Sequence, residues 1–180
     1  MLSDKEILRL MEEGEIVIEP FDRRWLGPNS YDLHLDENIK IPVNIPDITK
    51  NEKVYKRAKL PYTIPPFGSI IVQTKEIVGC RSKTLGILSE RSNLARLPLI
   101  FSYSKLLDTG FIGHLSAAIF NPNPFPVTIH PNYRFLQIMF MRVDGEVMQT
   151  YDKRKWSKNL DQLFGEVPEF KPDKEWLGGV

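Results

Sequence analysis

The chain has 180 residues, enough for one domain with a real core, and its 42% apolar and 26% charged residues are ordinary for a globular fold. A net charge of +1 gives no general case for a nucleic-acid or acidic-membrane partner, so any anion site must be local. No apolar run approaches the roughly 18 residues of a membrane span, "MLSDKEILRL" is too charged for a signal peptide, and the single cysteine, Cys80, excludes an internal disulfide and points to a reducing, cytoplasmic compartment.

The first element reads as a helix. Ser3 is placed to cap it, Glu6 to complete a capping box, Ile7, Leu8, Leu10 and Met11 form an apolar stripe, and Gly14 ends it. After that the helical period fades into short β-type runs: "EIVIEP", "SYDLHLD", "SIIVQTKEIVG", "TLGILS", "PLIFSYS", "GHLSAAIFN", "FPVTIHP" and "RFLQIMFMRV". Fourteen prolines favour turns and short strands between them. The pattern predicts an all-β barrel or sandwich with an N-terminal helix and short helical turns. Cys80 reads as a small hydrophobe at a strand end. His114 and His130 sit in strand-like runs with no third ligand spaced for a metal, so they read as strand-end or surface histidines. The last thirty residues are charged, with scattered aromatics and no strand alternation. They read either as a loosely packed tail or as an arm that closes over a ligand or grips a neighbouring subunit.

Three stretches carry candidate chemistry. In "RSNLAR", Arg91 and Arg96 flank Ser92, which suits a helical N-cap; a helix start offers free N–H groups to a phosphate, and arginine adds forked donors. "LLDTGFIG" places Asp108 at a turn into a strand, where an ordinary turn aspartate is the plainer reading. "NSYDLHL" places Asp32 inside a strand-like run.

In their order, "SYDL", "RSNLAR", "LLDTGFIG" and "RFLQIMF" resemble the successive motifs of the dUTPase and dCTP deaminase superfamily. The dCTP deaminase branch is the nearer, through the opening helix, "GPNSYDL", and a Tyr–Lys–Gln spacing met here as Tyr151, Lys158 and Gln162. The resemblance implies a distorted jelly-roll β-barrel, residues 1–150, with a C-terminal arm, 151–180, closing over nucleotide phosphates. It also implies a homotrimer with sites between subunits. Arg91, Ser92, Asn93 and Arg96, in a motif that includes Leu94 and Ala95, would hold the triphosphate, with Mg²⁺ bridging its oxygens through water and no direct protein ligand. Asp108 would meet the 3′-hydroxyl and a catalytic water, and Phe111 would pack where a 2′-hydroxyl would sit. Ser116, Ala117 and Ala118 would read the pyrimidine through the backbone. Gln137 falls in the "RFLQ" motif, and Tyr151, Lys158 and Gln162 would close over the phosphates.

One departure bears on the reaction. Zinc deaminases need a His/Cys/Cys metal and a glutamate, which one cysteine cannot supply. The dCTP deaminase branch uses a glutamate on the strand after the Asp turn instead, and that position is Ala118. A general acid–base group is worth roughly 10²- to 10⁴-fold. Leu106 also stands where deaminases carry a bulky Arg or Trp. Cleavage of a phosphoanhydride asks only for an oriented water and phosphate-charge stabilisation. The sequence therefore points to Mg²⁺-dependent hydrolysis of dUTP to dUMP and pyrophosphate, with Asp108, Ser92 and Arg96 catalytic. The alternatives are a dCTP deaminase in which Ala118 replaces the catalytic Glu, and a deoxynucleotide-binding protein without catalysis. A structural β-domain would leave the Tyr151, Lys158, Gln162 spacing unexplained.

Overall fold

The computed structural model describes residues 1–43 and 55–154. Helix α1 (Asp4–Glu12) starts where expected, with Ser3 Oγ accepting from Glu6 N. The reciprocal half of the capping box does not form. Glu6 instead pairs with Arg9, one turn on, and with Arg142, pinning the helix to a distant strand. Ile7 and Leu10 are the buried side chains of the stripe, and Gly14, at φ +71, lets the chain leave in a left-handed turn.

The strands follow as β1 (Ile16–Glu19), β2 (Tyr31–Pro42), β3 (Tyr55–Lys59), β4 (Tyr62–Ile64), β5 (Ser69–Cys80), β6 (Thr84–Glu90), β7 (Ile100–Tyr103), β8 (Leu106–Leu107), β9 (Ile112–Phe120), β10 (Val127–Ile129) and β11 (Arg134–Arg142). Each of the eight β-type runs read from the sequence contains a strand. Three further strands, β3, β4 and β8, are short or charged and carry no clear alternation.

One antiparallel sheet runs β7-β9-β5-β2-β11-β6-β8, with β1 added on β5 and β3 on β2, while β4 and β10 form a separate ribbon. The ends of this path, β7 and β8, are separated in sequence by only Ser104 and Lys105. Two residues reach from one end of the path to the other only if the sheet curls round, so the connectivity itself requires a half-barrel. Register shifts supply the bending: between Leu35 and Ile39, between Gln73 and Ile77, and between Arg134 and Leu136. The curled sheet encloses one core, with Tyr31, Leu33, Ile70, Ile119, Phe135 and Phe140 fully buried.

Two buried acids brace the sheet, Glu15 at the turn from β5 to β6 and Glu76 at the bend of β5. Glu15, at the end of the helix exit, accepts hydrogen bonds from Ser82 N, Lys83 N and Thr84 Oγ1 at 3.0, 2.7 and 2.9 Å, and from Ser82 Oγ. Burial pushes its carboxyl up, but these donors outweigh it and hold the group below the ordinary glutamate range. Glu76 sits in the irregular part of β5, where its carboxylate accepts from His34 N at 2.9 Å and lies 2.6 Å from His34 Nδ1. Cys80 is the fully buried last residue of β5, and burial pushes its thiol up to about 12, which makes it an unreactive hydrophobe.

Candidate functional site

Asp108 follows β8, whose Leu107 pairs with Gly86 near the start of β6. The turn is fixed by Thr109 Oγ1 donating to Thr84 O at 2.8 Å and by Phe111 N donating to Asp108 O at 3.0 Å. Gly110 completes it at φ +94; a Cβ there would meet Thr150 Cβ and Tyr151 N at 2.6 Å. The chain after the barrel is thus latched onto the Asp turn, with Tyr151 N donating to Thr109 O at 2.8 Å. Phe111 and Tyr151 meet edge to face, their ring centroids 5.6 Å apart.

These residues surround a cleft of about 170 Å³, lined by Asp108, Phe111, Ser116 and Tyr151 together with the apolar Leu88, Leu106 and Leu115. The fold explains why Ser116 is at its wall. Strand β7 pairs with β9 only as far as Tyr103 opposite Ala117, so the edge of β9 is open from Ser116 toward Ser104. Ala117 points into the core, and Ala118 lies between Ser102 on β7 and Ile71 on β5; neither lines the cleft. The side chain at 118 is a methyl group, and no acid pairs with it on either neighbouring strand.

The RSNLAR residues lie elsewhere. Arg91 leaves the far end of β6, five residues beyond Gly86, or about 16 Å along the strand. The expected helix capped by Ser92 is a single 3-10 turn, Leu94–Arg96, with Asn93 at the N-cap position and no side-chain cap bond. Pro98 follows almost at once, so no helical run long enough to carry a dipole can form. Leu94 is 2% exposed and anchors the turn in the core, so its side chain is turned away from any ligand. Ala95 is the middle residue of the turn, and Ser92 and Arg96 are exposed.

Arg91 and Asn93 line a second, larger cleft of about 610 Å³. At its edge Asp32 on β2 is shared by two guanidinium groups, Arg91 Nε at 3.3 Å and Arg134 Nη1 at 3.1 Å. Gln137 is the β11 partner of Asp32 and donates to Ser89 Oγ at 3.1 Å. Lys158 and Gln162 lie outside the described residues. Arg134, Trp25, Lys75 and the His34–Glu76 pair were not singled out from the sequence. Arg134 had a signal in its place three residues before Gln137; His34 and Glu76, 42 residues apart, had none.

Among the described residues no three acid, histidine or cysteine side chains group as a metal-ligand set. The donors around Asp32 are cationic and match phosphate oxygens rather than a bare cation. These donors do not suit a directly held Mg²⁺; they suit an anion that could carry one. No helix of the described residues is long and apolar enough to cross a membrane.

The dCTP deaminase-like family model matches residues 1–143. The chain belongs to this family. Among its relatives, a dCTP deaminase of Ignicoccus hospitalis is 29% identical over 163 residues, 86% of this chain and 89% of that protein. A dUMP-forming dCTP deaminase of Methanopyrus kandleri is 30% identical over 166 residues, 84% of this chain and 86% of that one. The fold matches a solved 2′-deoxycytidine 5′-triphosphate deaminase from Agrobacterium tumefaciens at TM-score 0.63 and 19% identity, over 79% of this chain; the match spans 48% of that chain. A mutant dUTPase from phage phi11 of S. aureus matches at TM-score 0.50 and 12% identity, over 74% of this chain and 94% of that one. The half-barrel is therefore dUTPase-like, and the fold read from the sequence holds.

Proposed function

We propose that this chain processes deoxypyrimidine triphosphates, and that the step its own residues support is cleavage of the α–β phosphoanhydride of dUTP to give dUMP and pyrophosphate. The observation that carries this reading is the contrast between Asp108, a half-buried carboxylate on a rigid turn beside Ser116 and Phe111, and Ala118, a methyl group where the family's deamination glutamate stands. In the proposed step the oxygen of a water attacks the α-phosphorus and the bond to the bridging oxygen breaks. The water proton passes to Asp108, and pyrophosphate leaves. Phe111 and Leu115 give the sugar and base an apolar wall, and Ser116 offers the open edge of β9 to the pyrimidine. Magnesium, when bound, neutralises charge on the phosphate chain.

The two groups of family residues lie at opposite ends of β6, so the same reading uses a second copy of the chain to bring the Arg91 side against the Asp108 cleft. The family expectation of a homotrimer, of residues 151–180 as a closing arm, and of Ser92, Arg96, Lys158 and Gln162 as phosphate ligands belongs to this proposal.

A second reading, deamination of dCTP, is favoured by the names of the relatives, and the comparisons support it better than hydrolysis of dUTP alone. A dUMP-forming enzyme acting on dCTP must both deaminate and remove pyrophosphate, so Ala118 bears on one half of that chemistry only. One experiment separates the readings. The protein is incubated with dUTP or dCTP and Mg²⁺, and pyrophosphate and ammonia are followed together. Pyrophosphate from dUTP without ammonia from dCTP is expected; ammonia released from dCTP at turnover rates refutes the argument from Ala118.

A further inference from the structure

The larger cleft holds more positive charge than its own acids balance. Arg24 is matched by Asp22 at 2.5 Å, and His34 is hydrogen-bonded to Glu76. Arg91 and Arg134, by contrast, share the single carboxylate of Asp32, and each gives it one nitrogen. A guanidinium has five N–H donors, so both retain most of theirs. Arg134 also packs over the Trp25 ring, its Cζ 4.7 Å from the ring centroid. Lys75, on the same cleft, donates to Asn132 Oδ1 at 2.9 Å and meets no carboxylate among the described residues. Counted together, Arg24, Lys75, Arg91 and Arg134 face the carboxylates of Asp22, Asp32 and Glu76, so the wall keeps a positive excess, and it lies on the side of Arg91, Arg134 and Lys75.

A net positive wall, guanidinium donors left over from the shared Asp32 and a concave cleft of about 610 Å³ match a compact, multiply charged anion. The Trp25 ring is already crowded, by Arg24 at 5.5 Å, Arg134 at 4.7 Å and His34 edge-on at 5.0 Å, which favours a charged ligand over a stacked base in this cleft. We infer that Lys75 and Arg134 form an oligophosphate-binding wall which extends the grip of Arg91 to the distal phosphates of the bound nucleotide, making them determinants of triphosphate over monophosphate. The inference rests on the nucleotide reading above for the source of the phosphates, while the anion chemistry stands on the cleft alone.

The test is calorimetric binding of inorganic tripolyphosphate, dUMP and α,β-imido-dUTP to the full chain and to Lys75→Gln, Lys75→Arg and Arg134→Gln. Lys75 is exposed and outside every ion pair among the described residues, so Lys75→Gln keeps the test interpretable if Arg134→Gln fails to fold. Loss of one charge-assisted contact is expected to weaken tripolyphosphate and α,β-imido-dUTP roughly 5- to 20-fold in Lys75→Gln. Affinity for dUMP should not change, and Lys75→Arg should restore the wild-type value. Unchanged tripolyphosphate affinity in a Lys75→Gln protein of wild-type melting temperature overturns the inference. Weakened tripolyphosphate with unchanged α,β-imido-dUTP also overturns it, by making the cleft a site for free oligophosphate. None of these measurements needs turnover, so a failure of dUTP hydrolysis would strike the proposed reaction and leave this result readable.

Discussion

The two clefts of this molecule are opposites in chemistry and are set apart by one strand. The cleft at the start of β6 is small and mainly apolar, with one carboxylate, Asp108, on a turn braced by Thr84 and by the chain around Tyr151. The cleft beyond the end of β6 is larger and charged, and its arginines outnumber the acid they share. A deoxynucleotide triphosphate needs both kinds of surface, an apolar slot for sugar and base and a cationic one for phosphates. On the proposed reading, the separation teaches that a single copy offers the halves of such a site without joining them.

The largest expected effect falls on the Asp108 cleft. Asp108→Asn should lower kcat for pyrophosphate release by roughly 10²-fold or more while nucleotide binding survives, because the amide keeps the shape and loses the base. Steady-state kinetics beside a binding isotherm will show it, and an unchanged kcat removes Asp108 from the reaction. The next effect tests the pairing of the clefts. Asp108→Asn and Arg91→Gln proteins, each inactive alone, should regain roughly a quarter of wild-type activity when unfolded together and refolded as mixed oligomers, since random assembly joins two intact halves in that share of sites. No recovery would mean that each chain builds its site alone.

Smaller effects should reach the braces of the Asp108 turn. Glu15→Gln leaves buried donors at the start of β6 poorly matched and should cost about 1–3 kcal/mol of stability. The sign of its pH dependence follows from a folded-state pKa held below the ordinary value. The carboxylate's contribution is complete above the ordinary glutamate range and is lost as pH falls through the lowered value. Melts of both proteins should therefore differ most at neutral pH and converge in acid; a gap that widens on acidification contradicts the assignment. Gly110→Ala forces a left-handed residue to carry a Cβ against Thr150 and Tyr151, and should cost about 1–2 kcal/mol. It should loosen the Tyr151 N–H to Thr109 O bond and raise KM, while the Arg91 cleft keeps its wild-type affinity for tripolyphosphate.

Much of this was legible because it is local. Ser3 capping α1, the stop at Gly14 and the alternation of "GHLSAAIFN" each follow from neighbouring residues, and each is found. The motif order carried the family. The helix expected at Ser92 failed because capping chemistry was present without the length of helix it needs, Pro98 lying too close. Strands β3 and β8 were missed because charge in the one and brevity in the other erase the period of two.

What the sequence determined by itself is the N-terminal helix, eight of the eleven described strands, the turn that carries Asp108 and the alanine at 118, since these depend on residue type and near neighbours. What only the tertiary structure decided is which functional groups share a cleft. The curl that brings β7 round to β8 places Tyr151 on the Asp108 turn, while the length of β6 separates Asp108 from Arg91. The pairing of β2 with β11 sets Arg134 beside Asp32, 102 residues away, and bends in β2 and β5 bury His34 against Glu76. Such contacts join residues with no spacing in common, and strand register, a property of the whole sheet, is what fixes them.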